Sequence, residues 1–163
     1  MSKKPNVPLV DKILLINSPI ANVFEFLSNH ENYIRWFPGV IAIESANSLP
    51  HGTVGKIYTE TIRLPTGRNR LIAIEVVESR SPDLFTTEGT FAPVHPRMEV
   101  RLLEKSTEET VMSWRFFSRS QSVIGRFLIR ALVKRTLARQ SNAGLLRLKN
   151  ILEEQARSAA LLL

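Results

Sequence analysis

The sequence predicts an α+β fold: an antiparallel sheet of about six or seven strands, two short helices after the first strand, and a long C-terminal helix. Three observations carry this expectation. A strand-like stretch leads directly into a helical segment near Ser18-Pro19. Strand-like runs then follow one another with short turns and no intervening helix, the order of an antiparallel meander and not of a parallel α/β sheet. From Ser122 onward the apolar period changes to that of a helix.

Val10–Asn17 is apolar and partly β-branched, as a strand requires. Ser18 is placed to cap a helix and Pro19 to fill its first position. Ile20, Val23, Phe24 and Leu27 then form one apolar face. Tyr33, Ile34, Trp36 and Phe37 predict a second short helix, stopped by Pro38-Gly39. Strands are predicted over Val40–Ala46, Val54–Leu64, Arg70–Ser79, Leu84–Phe91, Met98–Glu104 and Thr110–Phe117, each bounded by turn residues. Met98, Val100 and Leu102 alternate with charged neighbours, as do Met112, Trp114 and Phe116, so both strands bury one face. Tyr58, Glu60 and Ile62 share a face, and alternation leaves open which way that face points.

The terminal helix is expected over Ser122–Arg157. Its first apolar face is Ile124, Phe127, Leu128, Ala131 and Leu132. Its later apolar positions, Ala138, Leu145, Leu148 and Leu152, have drifted around the wheel, which predicts curvature or a bend near Ser141–Gly144. No internal repeat or low-complexity linker divides the chain. One domain over 1–163 is expected, with an ordered core at 8–157 and fraying ends.

Composition narrows the function classes. A chain of 163 residues with 44% hydrophobic content can bury a true core. It contains no cysteine, which excludes disulfides, thiolate metal sites and cysteine nucleophiles, and fits a reducing cytoplasm. The apolar run Ile13–Ile16 is too short for a signal peptide and no stretch is long enough to span a membrane, so a cytoplasmic protein is expected. The net charge is +7, and Ser122–Arg157 holds eight basic against two acidic residues. That helix implies peripheral contact with an anionic membrane or partner as one reading, and a solvated outer face as another. Exposed aromatics for base stacking do not interleave with the basic residues, so nucleic acid is not an expected partner.

No catalytic motif stands out. His30, His51 and His95 are unpaired in spacing and read as exposed loop residues, so no metal is expected. There is no nucleophile elbow and no phosphate-binding glycine loop, and no cofactor is expected. Among strand carboxylates, Glu75 and Glu99 are assigned to solvent by alternation. Glu60 and Glu88, with His95 in a connection, are the candidates for acid or base work.

The element order and several local matches resemble the START-like (SRPBCC, helix-grip) superfamily, in particular its polyketide cyclase/dehydrase-type members. The matches are the helix Pro19–Leu27, the Trp36-Phe37-Pro38-Gly39 exit, the strand Val111–Phe117 around Trp114, and Gly144-Leu145-Leu146-Arg147-Leu148-Lys149 before Leu152-Glu153. The resemblance covers nearly the whole chain. It implies a curved sheet wrapped around the long helix, with an apolar cavity between them. Members bind lipids, polyketides, plant hormones, quinones or other apolar molecules, and some are enzymes, so the fold does not select the function. The implied cavity residues are Trp36, Phe37, Tyr58, Phe91, Arg97, Met98, Met112, Trp114, Phe116, Phe127 and Ala131. The leading expectation is binding or transport of an apolar small molecule. The alternatives are a cyclase, aromatase or dehydratase using a cavity carboxylate, His or Arg, and an interaction module acting through the basic helix. The oligomeric state is not legible from the sequence.

Overall fold

The computed structural model describes residues 6–128 and 133–162. Seven strands form one antiparallel sheet: β1 (Val7–Ile16), β2 (Val40–Ser45), β3 (Ile57–Arg63), β4 (Asn69–Arg80), β5 (Leu84–Gly89), β6 (Pro96–Ser106) and β7 (Glu109–Ser118). Their order is β1-β7-β6-β5-β4-β3-β2, so β2 to β7 run as a meander and β1 closes against the last strand. Between β1 and β2 lie α1 (Ile20–Ser28), a 3-10 turn (His30–Asn32) and α2 (Tyr33–Trp36); after β7 come α3 (Val123–Leu128) and α4 (Lys134–Ala160). This is the helix-grip arrangement the sequence predicts.

Alternation decides which face of the sheet is covered. Ile72, Ile74 and Val76 of β4, and Met112 and Trp114 of β7, are buried on the inner face. Leu71 and Leu103 point the other way and are exposed. Register shifts in the β1–β7, β2–β3, β4–β5 and β6–β7 pairs add local bends and twist to the strands. The helix α4 packs along β1 and against α2. Its buried positions, Leu137, Ser141, Gly144, Leu145, Leu148 and Leu152, recur at three- and four-residue spacing and form one continuous stripe.

Several expectations are corrected in detail. Ser18 does not cap α1: Pro19 occupies the N-cap, no side chain caps the helix, and the amides of Asn22 and Val23 donate to the Pro19 carbonyl. The third strand starts at Ile57 and not Val54, because Gly55, with φ +87°, belongs to the preceding turn. Through Ser141–Gly144, where curvature or a bend is expected, α4 continues as helix without a break. Ser141 instead returns its hydroxyl to the Leu137 carbonyl at 2.6 Å. The start of the expected terminal helix falls on α3, and its Ile124 and Phe127 are exposed, not core-facing. Ala131 and Leu132 lie outside the described residues.

Candidate functional site

A cavity of about 630 Å³ lies between the sheet's inner face and the start of α4. Its walls come from β3, β4, β5, β6 and β7, from the α2 exit, and from α4. Arg63, Pro65 and Thr136 among its lining residues are exposed and mark its opening. Ile72, Ile74, Met98, Phe37 and Phe116 supply apolar wall. The buried inner end holds a polar pair, His30 and Glu60, which are 3% and 4% exposed.

The fold fixes both members of this pair. Glu60 lies in the middle of β3, opposite Ile43 on β2 and Ile72 on β4, so its backbone is held from both sides. Its side chain shares the inner face with Tyr58, which answers the question that alternation left open. His30 starts the 3-10 turn, which Asn29 caps by accepting the Glu31 amide at 3.1 Å. Asn32 ties the same turn to α1 by donating its amide to the Phe26 carbonyl at 2.9 Å. The His30 ring stacks on Tyr33 at 4.9 Å and leans on Tyr58 at 5.4 Å. From this position His30 Nε2 reaches Glu60 Oε2 at 3.2 Å.

The aromatic row continues from the pair into the core. Tyr33 stacks on Phe37 at 4.8 Å, and Phe37 lies 6.0 Å from Trp114. Burial pushes the Tyr33 phenol well above its ordinary pKa, and the charge of Glu60 pushes in the same direction. Tyr58 is pushed up to about 12, chiefly by burial, with a backbone hydrogen bond from His30 opposing. The Tyr58 hydroxyl is hydrogen-bonded to His51 Nδ1 at 2.8 Å.

The structure sorts the sequence-derived candidates. Phe37, Glu60, Phe91, Met98 and Phe116 line the cavity. Trp36, Tyr58, Met112 and Trp114 do not reach it; they are buried behind it as core. Phe127 is 74% exposed on α3 and is not among the residues lining this cavity, and Ala131 lies outside the described residues. Glu88 and Arg97 are corrected to the outer face: the Arg97 guanidinium donates to Glu88 at 2.7 Å, and Arg119 pairs with the same carboxylate at 3.1 Å. On β5 Thr87 faces the cavity, and alternation along the strand turns its neighbour Glu88 to the opposite side, with Glu75 and Arg119. His95 sits in the β5–β6 connection with φ 45°, beside the cavity residues Val94 and Pro96, and does not line the cavity itself. Glu99 faces outward as expected but is buried, covered by Arg101 and Arg115.

His30 is the residue that sequence reasoning missed. Its surroundings, Ser28-Asn29-His30-Glu31-Asn32, read as a polar loop, and nothing in that pattern marks one side chain as buried. The available signal was the apolar Tyr33 and Trp36 just beyond, which pull the turn inward. Among the described residues, no group of three His, Cys, Asp or Glu side chains is placed to hold a metal ion. Among the same residues no helix is long and apolar enough to cross a membrane.

Comparison with known proteins agrees with this architecture. A family model described as polyketide cyclase / dehydrase and lipid transport matches residues 12–153. No curated protein sequence matches significantly. Among solved structures, the Zhui aromatase/cyclase from Streptomyces sp. R1128 superposes with a TM-score of 0.71 at 18% identity, covering 92% of this chain and 96% of that one. The di-domain ARO/CYC StfQ from the steffimycin biosynthetic pathway gives 0.70 at 12% identity, covering 93% of this chain. This chain spans about half of StfQ, 52%. SA2116 from Staphylococcus aureus, a protein of unknown function, gives 0.66 at 13% identity, with 93% and 98% covered. At such identities the likeness is one of fold. The family match extends over most of the chain, and with the helix-grip sheet it establishes that this protein belongs to the polyketide cyclase / dehydrase and lipid transport family of the START-like superfamily.

Proposed function

We propose that the protein binds or carries an apolar small molecule, lipid-, polyketide- or quinone-like, in the cavity between the sheet and α4. The observation that carries this reading is the cavity itself: about 630 Å³, open at one end, with apolar side chains over most of its wall. Burying about 300 Å² of apolar ligand surface there favours binding by about 7 kcal/mol before the costs of ordering are subtracted. Native mass spectrometry of the purified protein, followed by denaturing extraction, tests this reading. A co-purified apolar molecule, or a melting temperature raised by apolar probes, is the expected result. An empty protein whose melting temperature no apolar probe shifts would remove the proposal.

A second reading, an enzyme of the cyclase or dehydratase type, is favoured by one observation. Glu60 and His30 together offer a proton donor and acceptor inside an apolar chamber. Zhui, similar in fold, is named an aromatase/cyclase. Holding a flexible polyketone in one folded geometry would supply much of the rate gain. Equal conversion of a reactive polyketone by wild type and by Glu60→Gln would rule this reading out.

A further inference from the structure

The inner end of the cavity is chemically unlike its walls. His30 and Glu60 are both nearly inaccessible to solvent, yet both line the same chamber as Ile72, Ile74 and Met98. An ionised carboxylate has two oxygens with about four acceptor positions between them. His30 Nε2 occupies one of these, on Oε2; among the described residues no donor is placed on Oε1. The pair is also rigid, because His30 lies between two tyrosine rings and Glu60 is in mid-strand. Groups already held in position lose little freedom when a ligand arrives.

The surrounding charges narrow what that ligand is. Arg63 is at the exposed opening and not beside the pair. Lys56 is buried nearby, but its ammonium donates to the Asn47 carbonyl at 2.6 Å and lies over the Tyr58 ring. Glu88 faces the opposite side of the sheet, where Arg97 and Arg119 pair with it. A ligand carboxylate pushed to the inner end would therefore meet Glu60 without a compensating lysine or arginine.

We infer that the His30–Glu60 pair is a hydroxyl receptor: it selects apolar ligands whose buried end carries a neutral hydrogen-bond donor, an alcohol, phenol or enol, and rejects those ending in a carboxylate. This deepens the binding proposal above and rests on it. A site built to hydrogen-bond a hydroxyl discriminates against analogues lacking it far more sharply than an apolar wall discriminates by size. The same pair also ties the α1–α2 segment to β3, and the test separates that structural role from ligand selection.

The test uses three probes with one ring system and one changed substituent: 2-naphthol, 2-methylnaphthalene and 2-naphthoate. Binding to the full chain is measured by titration calorimetry near neutral pH, with the His30 imidazole followed by NMR. The expected result is 2-naphthol tighter than 2-methylnaphthalene by about tenfold or more, with 2-naphthoate weakest. His30 signals should move with 2-naphthol and not with 2-methylnaphthalene. In the double variant His30→Phe/Glu60→Leu, 2-methylnaphthalene should still bind and the naphthol advantage should fall to within about twofold. If that variant fails to fold, the wild-type affinity order and His30 signals decide alone. Equal affinity for naphthol and methylnaphthalene, or tightest binding of naphthoate, overturns the inference and leaves the binding proposal standing. Failure of all three probes to bind overturns both.

Discussion

Gly144 of α4 faces the carbonyl of Trp36 so closely that a Cβ added there would lie 3.1 Å from that oxygen. The same Cβ would meet Pro38 at 3.2 Å and Phe37 at 3.3 Å. The glycine is therefore the point where the long helix presses on the chain leaving α2. An alanine in mid-helix ordinarily stabilises by about 1 kcal/mol over glycine. Gly144→Ala is expected to lose that gain to crowding, and Gly144→Val to destabilise by about 1–3 kcal/mol. Urea denaturation measures both. A valine variant as stable as the parent would show that the contact yields freely.

That relationship shows where the sequence was readable and where it was not. The meander was legible because Met98-Val100-Leu102 and Met112-Trp114-Phe116 alternate with polar residues, and a sheet with one covered face demands this. Gly144, judged by propensity, looked like a weak point in the helix; its reason is a tertiary contact more than a hundred residues away in the chain. His30 was hidden for the same kind of reason, since its burial depends on Glu60 and Tyr58 from β3. Glu60 was half-legible: Tyr58, Glu60 and Ile62 share a face by alternation, but its direction depends on which side of the sheet the His30 turn and α4 cover. Ile124 and Phe127 kept helical spacing yet stayed exposed, because periodicity identifies a face and not the surface that covers it.

Leu148 and Leu146 are two residues apart on α4 and differ completely in environment, 0% against 60% exposed. Leu148→Ala is expected to cost about 2–5 kcal/mol, because it leaves a cavity between the helix and the sheet. Leu146→Ala should change stability by no more than about 0.5 kcal/mol. Chemical denaturation of the two variants is the check. Similar losses for both would mean that the buried stripe of α4 is misassigned.

Glu99 makes acid stability a local question. Burial raises its carboxyl pKa, but hydrogen bonds from Arg115 and Arg101 outweigh that and leave it below the ordinary value. The folded state thus keeps Glu99 ionised to lower pH than the unfolded chain does. Its contribution is complete above the ordinary glutamate pKa, about 4.3, and is lost as pH falls from there through the folded value. Glu99→Gln should cost about 1–3 kcal/mol near pH 6 and distinctly less near pH 3. Denaturation at both pH values measures the difference. A penalty independent of pH would detach Glu99 from acid stability.

The two tyrosines give the opposite sign at alkaline pH. Tyr33 is raised well above its ordinary value by burial and then by the Glu60 charge; Tyr58 is raised to about 12, again first by burial. The folded state therefore holds both phenolic protons where the unfolded chain, titrating near about 10, begins to release them. Stability is expected to fall as pH rises above that range. The chain has only these two tyrosines, so ultraviolet titration reads them without interference from other phenols. Little phenolate should form below about pH 11 while the protein remains folded, judged by circular dichroism on the same sample. Glu60→Gln should lower the Tyr33 midpoint only modestly, since burial is the larger cause. Substantial phenolate absorbance near pH 10 in a folded sample would place at least one ring in water, and would undo the aromatic packing that holds His30 against Glu60.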